Sequence, residues 1–105
     1  MESLTAPQLA ERIRQGDALV IIDVREPWEC EVCSIEGARN LPMAPIPQAV
    51  GGLDPQAHTV VVCHHGMRSW QVASYLERAG FTQVANLEGG IDAWAREVDP
   101  RMARY

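Results

Sequence analysis

Val60, Val61 and Val62 form an unbroken β-branched run, and Ala18 to Val24 reads ALVIIDV with almost no apolar/polar alternation. A strand with one wet face alternates, whereas a continuous apolar run has to be covered on both sides. Two such runs in one short chain demand layers above and below a sheet. Around them lie segments of helical spacing. Thr5 and Pro7 precede Leu9 and Ile13, and Gly16 closes that helix. Pro27 opens a second helix through about Val32, with Glu26 and Glu29 suited to its N-terminal end. Ser69 to Arg78 carries Val72, Ala73 and Leu76, followed by Gly80 as the stop. Gly90 introduces a last helix with Ile91 and Trp94. Thr59 to Val62 and Val84 to Leu87 read as strands, and Gly37, Ala38 and Leu41 predict a brief turn and strand stopped by Pro42. Met43 to Gln56 is rich in proline and glycine and reads as a loop with one helical turn around Gln48. Strands alternate with helices, which predicts an α/β fold with a parallel sheet and helices on both faces.

The 105 residues are enough for one domain, taken as residues 1–105. Net charge is −5, with nine basic residues, all of them arginine. That balance argues against nucleic acid as the main partner, because phosphate binding needs a basic surface. No apolar run of about 18 residues is present, so no membrane span is expected. The N-terminal MESLTAPQLAERIRQ is charged and lacks the apolar core of a secretory signal, so a cytoplasmic protein is expected. Cys30, Cys33 and Cys63 are too few and odd in number for a disulfide framework, and free thiols are expected.

In open parallel sheets ligands sit beyond the carboxyl ends of the strands, and Cys63 falls there. The segment Cys63-His64-His65-Gly66-Met67-Arg68-Ser69 offers three means of stabilising a thiolate. A tight turn at Gly66 can aim successive backbone N–H groups inward as an anion nest. The helix that follows points its positive end at the same place. Arg68 adds a permanent charge. From Pro55 to Leu76 there is no Asp or Glu to repel an incoming anion. A buried structural cysteine is the competing reading, but it needs neither Gly66 nor Arg68 close by.

Four segments then resemble the rhodanese family of sulfurtransferases, in the family's order. Cys63 to Ser69 is similar to the loop C-x-x-G-x-R-S. Ile22-Asp23-Val24-Arg25-Glu26-Pro27 is similar to the strand end D-V-R-E-P. Ile35-Glu36-Gly37-Ala38-Arg39-Asn40-Leu41-Pro42 and Glu88-Gly89-Gly90-Ile91-Asp92-Ala93-Trp94 match two further signatures. Cys33-Ser34 stands where many members carry Gly-His, a departure that touches packing and not the nucleophile. The resemblance implies a small parallel sheet of about five strands and a double displacement through a Cys63 persulfide. It implies a small anionic sulfur donor such as thiosulfate or polysulfide, a thiol or protein sulfur acceptor, no cofactor, and a monomer. A sulfur carrier or persulfide sensor with little small-molecule turnover is the alternative. Related phosphatases place five residues between Cys and Arg. Here there are four, a tighter cradle suited to one extra sulfur atom.

The remaining residues are read around that loop. Arg68 either orients the anionic donor or folds inward to brace the loop against nearby carboxylates or carbonyls. His64 and His65 are expected to shape the rim, Met67 to line the mouth, Trp70 to pack at the helix start, and Trp94 to anchor the core. Asp23 and Arg25 are expected to bridge loops beside the site, Asp23 accepting backbone N–H groups of a neighbouring loop. Cys30-Glu31-Val32-Cys33 has C-x-x-C spacing, but it lies toward a helix end where the dipole raises a thiol pKa. It also lacks the further ligands of a zinc site. Structural thiols are the reading adopted, and no metal is expected.

Overall fold

The computed structural model describes residues 1–41 and 52–105. Thr5 caps the first helix. Its backbone N–H donates to Gln8 Oε1 at 2.9 Å, while Gln8 N–H donates to the Thr5 hydroxyl at 3.3 Å, a reciprocal box. The elements run β1 (Glu2–Leu4), α1 (Ala6–Arg14), β2 (Leu19–Asp23), α2 (Pro27–Val32), β3 (Arg39–Asn40), β4 (His58–Val62), α3 (Met67–Arg78), β5 (Gln83–Leu87) and α4 (Gly90–Glu97). The sheet has five strands in the order β1-β5-β4-β2-β3, every pairing parallel. The α/β expectation holds, and the helix around Gln48 lies outside the described residues. Among the described residues no helix is long and apolar enough to cross a membrane.

Helices cover both faces, as the unbroken apolar runs required. On one face α1 and α4 bring Leu9, Ile91 and Trp94 against Val60, Val62 and Leu87. On the other, α3 brings Val72, Ala73 and Leu76 against Ile22, Val61 and Val84. Consecutive valines of β4 thus point to opposite cores, and all three are fully buried. Trp94 is the anchor it was expected to be, at 8% exposure.

The structure departs from the sequence reading at three places. Strand β1 was not read from the sequence: of Glu2-Ser3-Leu4 only Leu4 is buried, and the segment becomes a strand by pairing with β5. Trp70 does not pack; it is 56% exposed. The inward face of α3 is Ser69, Val72, Ala73 and Leu76, an i, i+3, i+4, i+7 stripe that leaves residue 70 pointing outward. Helix α3 also starts earlier than its apolar spacing suggests, because Gly66, at φ +106°, stands as the N-cap.

Candidate active site

Strand β4 ends at Val62, and the next residue, Cys63, is 1% exposed and belongs to the same buried cluster as Ile22, Val24 and Val72. The chain then turns sharply through His64, His65 and Gly66 into α3. Gly66 takes a left-handed φ of +106° that a side-chain-bearing residue adopts only with strain. This turn brings its N–H to 3.0 Å from Cys63 Sγ. The N–H groups of His65 and Ser69 and the Ser69 hydroxyl, at 3.3 Å, converge on the same sulfur. Burial pulls the Cys63 thiol up, but the Ser69 hydroxyl and the ring of N–H donors outweigh it, so the thiol sits below its ordinary range.

The outer side of the turn is held from α4. Ile91 N–H donates to the Cys63 carbonyl at 2.8 Å and Asp92 N–H to the His64 carbonyl at 3.0 Å. With both carbonyls drawn outward, the following N–H groups are left facing the sulfur. Asn86 on β5 secures the inner side. Its Nδ2 donates to the Gly66 carbonyl at 3.2 Å, and its Oδ1 lies 2.5 Å from the Ser69 hydroxyl oxygen. The hydroxyl carries one proton, so it serves either Asn86 or Cys63 at a given moment. Turning that proton to sulfur is a response a thiolate invites. Ser69→Ala removes this donor while leaving the N–H groups. The midpoint of Cys63 alkylation against pH should therefore rise by about half to one unit.

Arg68 does not stand free at the mouth. Its two terminal nitrogens fork onto Glu29 of α2, Nη1 to Oε1 at 2.8 Å and Nη2 to Oε2 at 3.0 Å. Of the two roles left open for Arg68, the geometry matches the brace against a carboxylate. The Arg68 hydrogen bonds lower the Glu29 carboxyl to about 2, against the opposing pull of burial. A carboxyl depressed in the folded state contributes stability above its ordinary value near 4.5, and that stability is lost as pH falls toward about 2. Urea midpoints of the wild type should fall across that acid window. Glu29→Gln should lose about 2 kcal/mol at neutral pH and show a flatter acid limb.

Asp23 and Arg25 are both buried and face each other. Arg25 Nε donates to Asp23 Oδ1 at 2.9 Å and Nη2 to Oδ2 at 2.7 Å. Asp23 also accepts the backbone N–H of Arg25 at 3.1 Å, within its own turn and not from a neighbouring loop as expected. The bridging falls instead to the guanidinium, which donates to the Glu29 and Cys33 carbonyls and to the Tyr105 hydroxyl. Arg25 and Arg68 therefore approach Glu29 from two sides. His64 is half-buried, with its ring stacked on Tyr105 at 3.9 Å and on His65 at 4.0 Å. Met67 is 78% exposed at the rim.

Cys30 and Cys33 are free, like Cys63. Burial and the neighbouring Asp23 push the Cys30 thiol up to about 11, the opposite of what a reactive thiol needs. His64, His65 and Asp92 bring ligand atoms within 4.8 Å of one another. The two imidazoles are stacked, and Asp92 is paired with Arg96 and Arg104. Glu29, Asn86 and Tyr105 are the site residues that sequence reasoning missed. Glu29 had been read as a complement to its helix dipole, and nothing local marks Asn86 or Tyr105.

A family model described as Rhodanese-like domain matches residues 5–97. The chain belongs to the rhodanese-like domain family. The chain is 34% identical over 88 residues to the thiosulfate sulfurtransferase GlpE of Pseudomonas putida, covering 84% of this chain and 80% of that protein. It is 40% identical over 93 residues to the chloroplastic rhodanese-like/PpiC domain-containing protein 12 of Arabidopsis thaliana. That match takes in 85% of this chain but 31% of the plant protein, so the rhodanese-like chain spans about a third of that relative. The crystal structure of a rhodanese-related protein from Thermoplasma volcanium superposes with a TM-score of 0.85 at 32% identity, covering 93% of this chain and 94% of that one.

Proposed function

We propose that this rhodanese-like chain is a sulfurtransferase in which Cys63 carries the sulfur as a persulfide. The observation that carries the reading is the convergence of N–H donors and the Ser69 hydroxyl on Cys63 Sγ, which favours a thiolate. In the first half-reaction the Cys63 thiolate attacks the outer sulfur of thiosulfate. The new S–S bond forms as the bond to the sulfite sulfur breaks, and sulfite leaves with the electron pair. The outer sulfur of the Cys63 persulfide carries the negative charge and sits in reach of the same donors. In the second half-reaction cyanide, a thiolate or a protein thiolate attacks that sulfur and regenerates the Cys63 thiolate. Splitting one transfer into two displacements is the general strategy of covalent catalysis. Neither step moves a proton, which fits a loop whose polar groups are hydrogen-bond donors to sulfur and not a base aimed at it. His64 and His65 then shape the rim, and Gly66 makes the turn possible. Met67 walls the mouth, and Arg68 braces it through Glu29.

The test is intact-protein mass spectrometry before and after thiosulfate. A gain of one sulfur atom that cyanide removes supports the reading. No gain from thiosulfate or polysulfide overturns it. Loading without multiple turnovers would support the carrier alternative in place of the enzyme.

A further inference from the structure

Tyr105 lies beyond residues 5–97 that match the family, yet it touches both walls of the site. Its hydroxyl donates to Glu29 Oε2 at 2.7 Å and accepts from Arg25 Nη1 at 2.9 Å. Burial and the Glu29 charge raise this phenol to about 12, despite the opposing Arg25, so it keeps its proton and remains the donor. Its ring lies parallel to the His64 imidazole, 3.9 Å away and tilted by 12°, and meets Trp28 edge-on at 5.7 Å. Glu29 is the partner of Arg68, and His64 follows Cys63 directly.

We propose that Tyr105 is a positioning residue, whose ring clamps the Cys63 loop through His64 and whose hydroxyl sets the charge that the Glu29–Arg68 pair presents to an anionic sulfur donor. The proposal rests on reading Cys63 as the sulfur carrier. The Glu29 carboxylate receives the Arg68 fork, the Glu26 N–H and the Tyr105 hydroxyl. Without the hydroxyl, less of its charge is spread onto donors, and Arg68 has to compensate more of it. An anion approaching Cys63 then meets a less positive mouth, whereas a neutral reagent is indifferent. Without the ring, His64 loses one of its two stacking partners and keeps only His65. The backbone between Cys63 and Gly66 is then less firmly set, so the N–H groups stabilise the thiolate less well.

The test compares alkylation of Cys63 by iodoacetate and by iodoacetamide, reagents of one chemistry that differ in charge. Tyr105→Phe should lower the ratio of the iodoacetate rate to the iodoacetamide rate about threefold, the size of one weakened charge interaction at a surface. Tyr105→Ala should slow iodoacetamide by a further factor of about three relative to Tyr105→Phe, through the thiolate fraction. Tyr105→Leu takes the place of Tyr105→Ala if that variant does not fold. A wild-type reagent ratio in Tyr105→Phe overturns the proposal. So does an iodoacetamide rate equal to that of Tyr105→Phe in the variant without the ring. Alkylation involves no sulfur transfer, so failure of the sulfur-loading experiment and failure of this one are separate results.

Discussion

Cys63→Ser is expected to gain no sulfur from thiosulfate and to lose at least about a thousandfold in thiosulfate:cyanide turnover, as removal of a covalent nucleophile does elsewhere. The loop remains able to form around serine, since the Gly66 N–H can donate to an oxygen as it does to sulfur at 3.0 Å. What the variant lacks is a nucleophile that these donors can hold ionised: a serine hydroxyl stays protonated where a thiol does not. Parallel mass spectrometry and steady-state rates on the two proteins check this. The comparison separates chemistry from folding, because circular dichroism should show Cys63→Ser folded. Retained turnover in the serine variant would move the reaction away from residue 63.

Gly90→Ala is expected to be the most destabilising single-methyl change in the site. A Cβ at residue 90 would lie 2.4 Å from the Cys63 carbonyl oxygen and 2.5 Å from that of His64. These are backbone atoms that cannot rotate away. Residue 90 also has φ +60°, a conformation that costs an L side chain roughly 1–2 kcal/mol by itself. Strain and overpacking together should remove about 3 kcal/mol or more. Gly80→Ala supplies the control. Its φ is +104° with nothing within 4 Å of the added carbon, so it bears the conformational cost alone. Urea denaturation of the two variants checks the order. The Cys63 alkylation rate should fall in Gly90→Ala and hold in Gly80→Ala, since only residue 90 abuts the carbonyls that orient the nest.

The parts of the site legible in the sequence were those built by neighbours. Val60 to Val62 declared a strand covered on both faces, and Cys63 to Ser69 declared a turn into a helix, because strand, turn and cap are local decisions. What escaped was built across the fold. Glu29 and Arg68 are 39 residues apart, and Tyr105 and Glu29 are 76 apart, so no spacing rule connects them. Strand β1 escaped for a similar reason: Glu2-Ser3-Leu4 has one buried apolar residue and is a strand only beside β5. Trp70, expected to pack at the helix start, is 56% exposed instead. Its angle around the helix, set by Ser69, Val72 and Leu76, sends it outward.

The two hydrogen bonds from the first turn of α4 to the Cys63 and His64 carbonyls have a consequence for how the chain becomes reactive. Residues 91 and 92 come 28 residues after Cys63 and His64, so these two supports are made only when α4 has docked. Until they dock, the peptide groups after Cys63 are free to rotate, and the thiol behaves as an ordinary one. The lowered thiol of Cys63 is in this sense a property of the docked tertiary structure and not of the loop sequence alone.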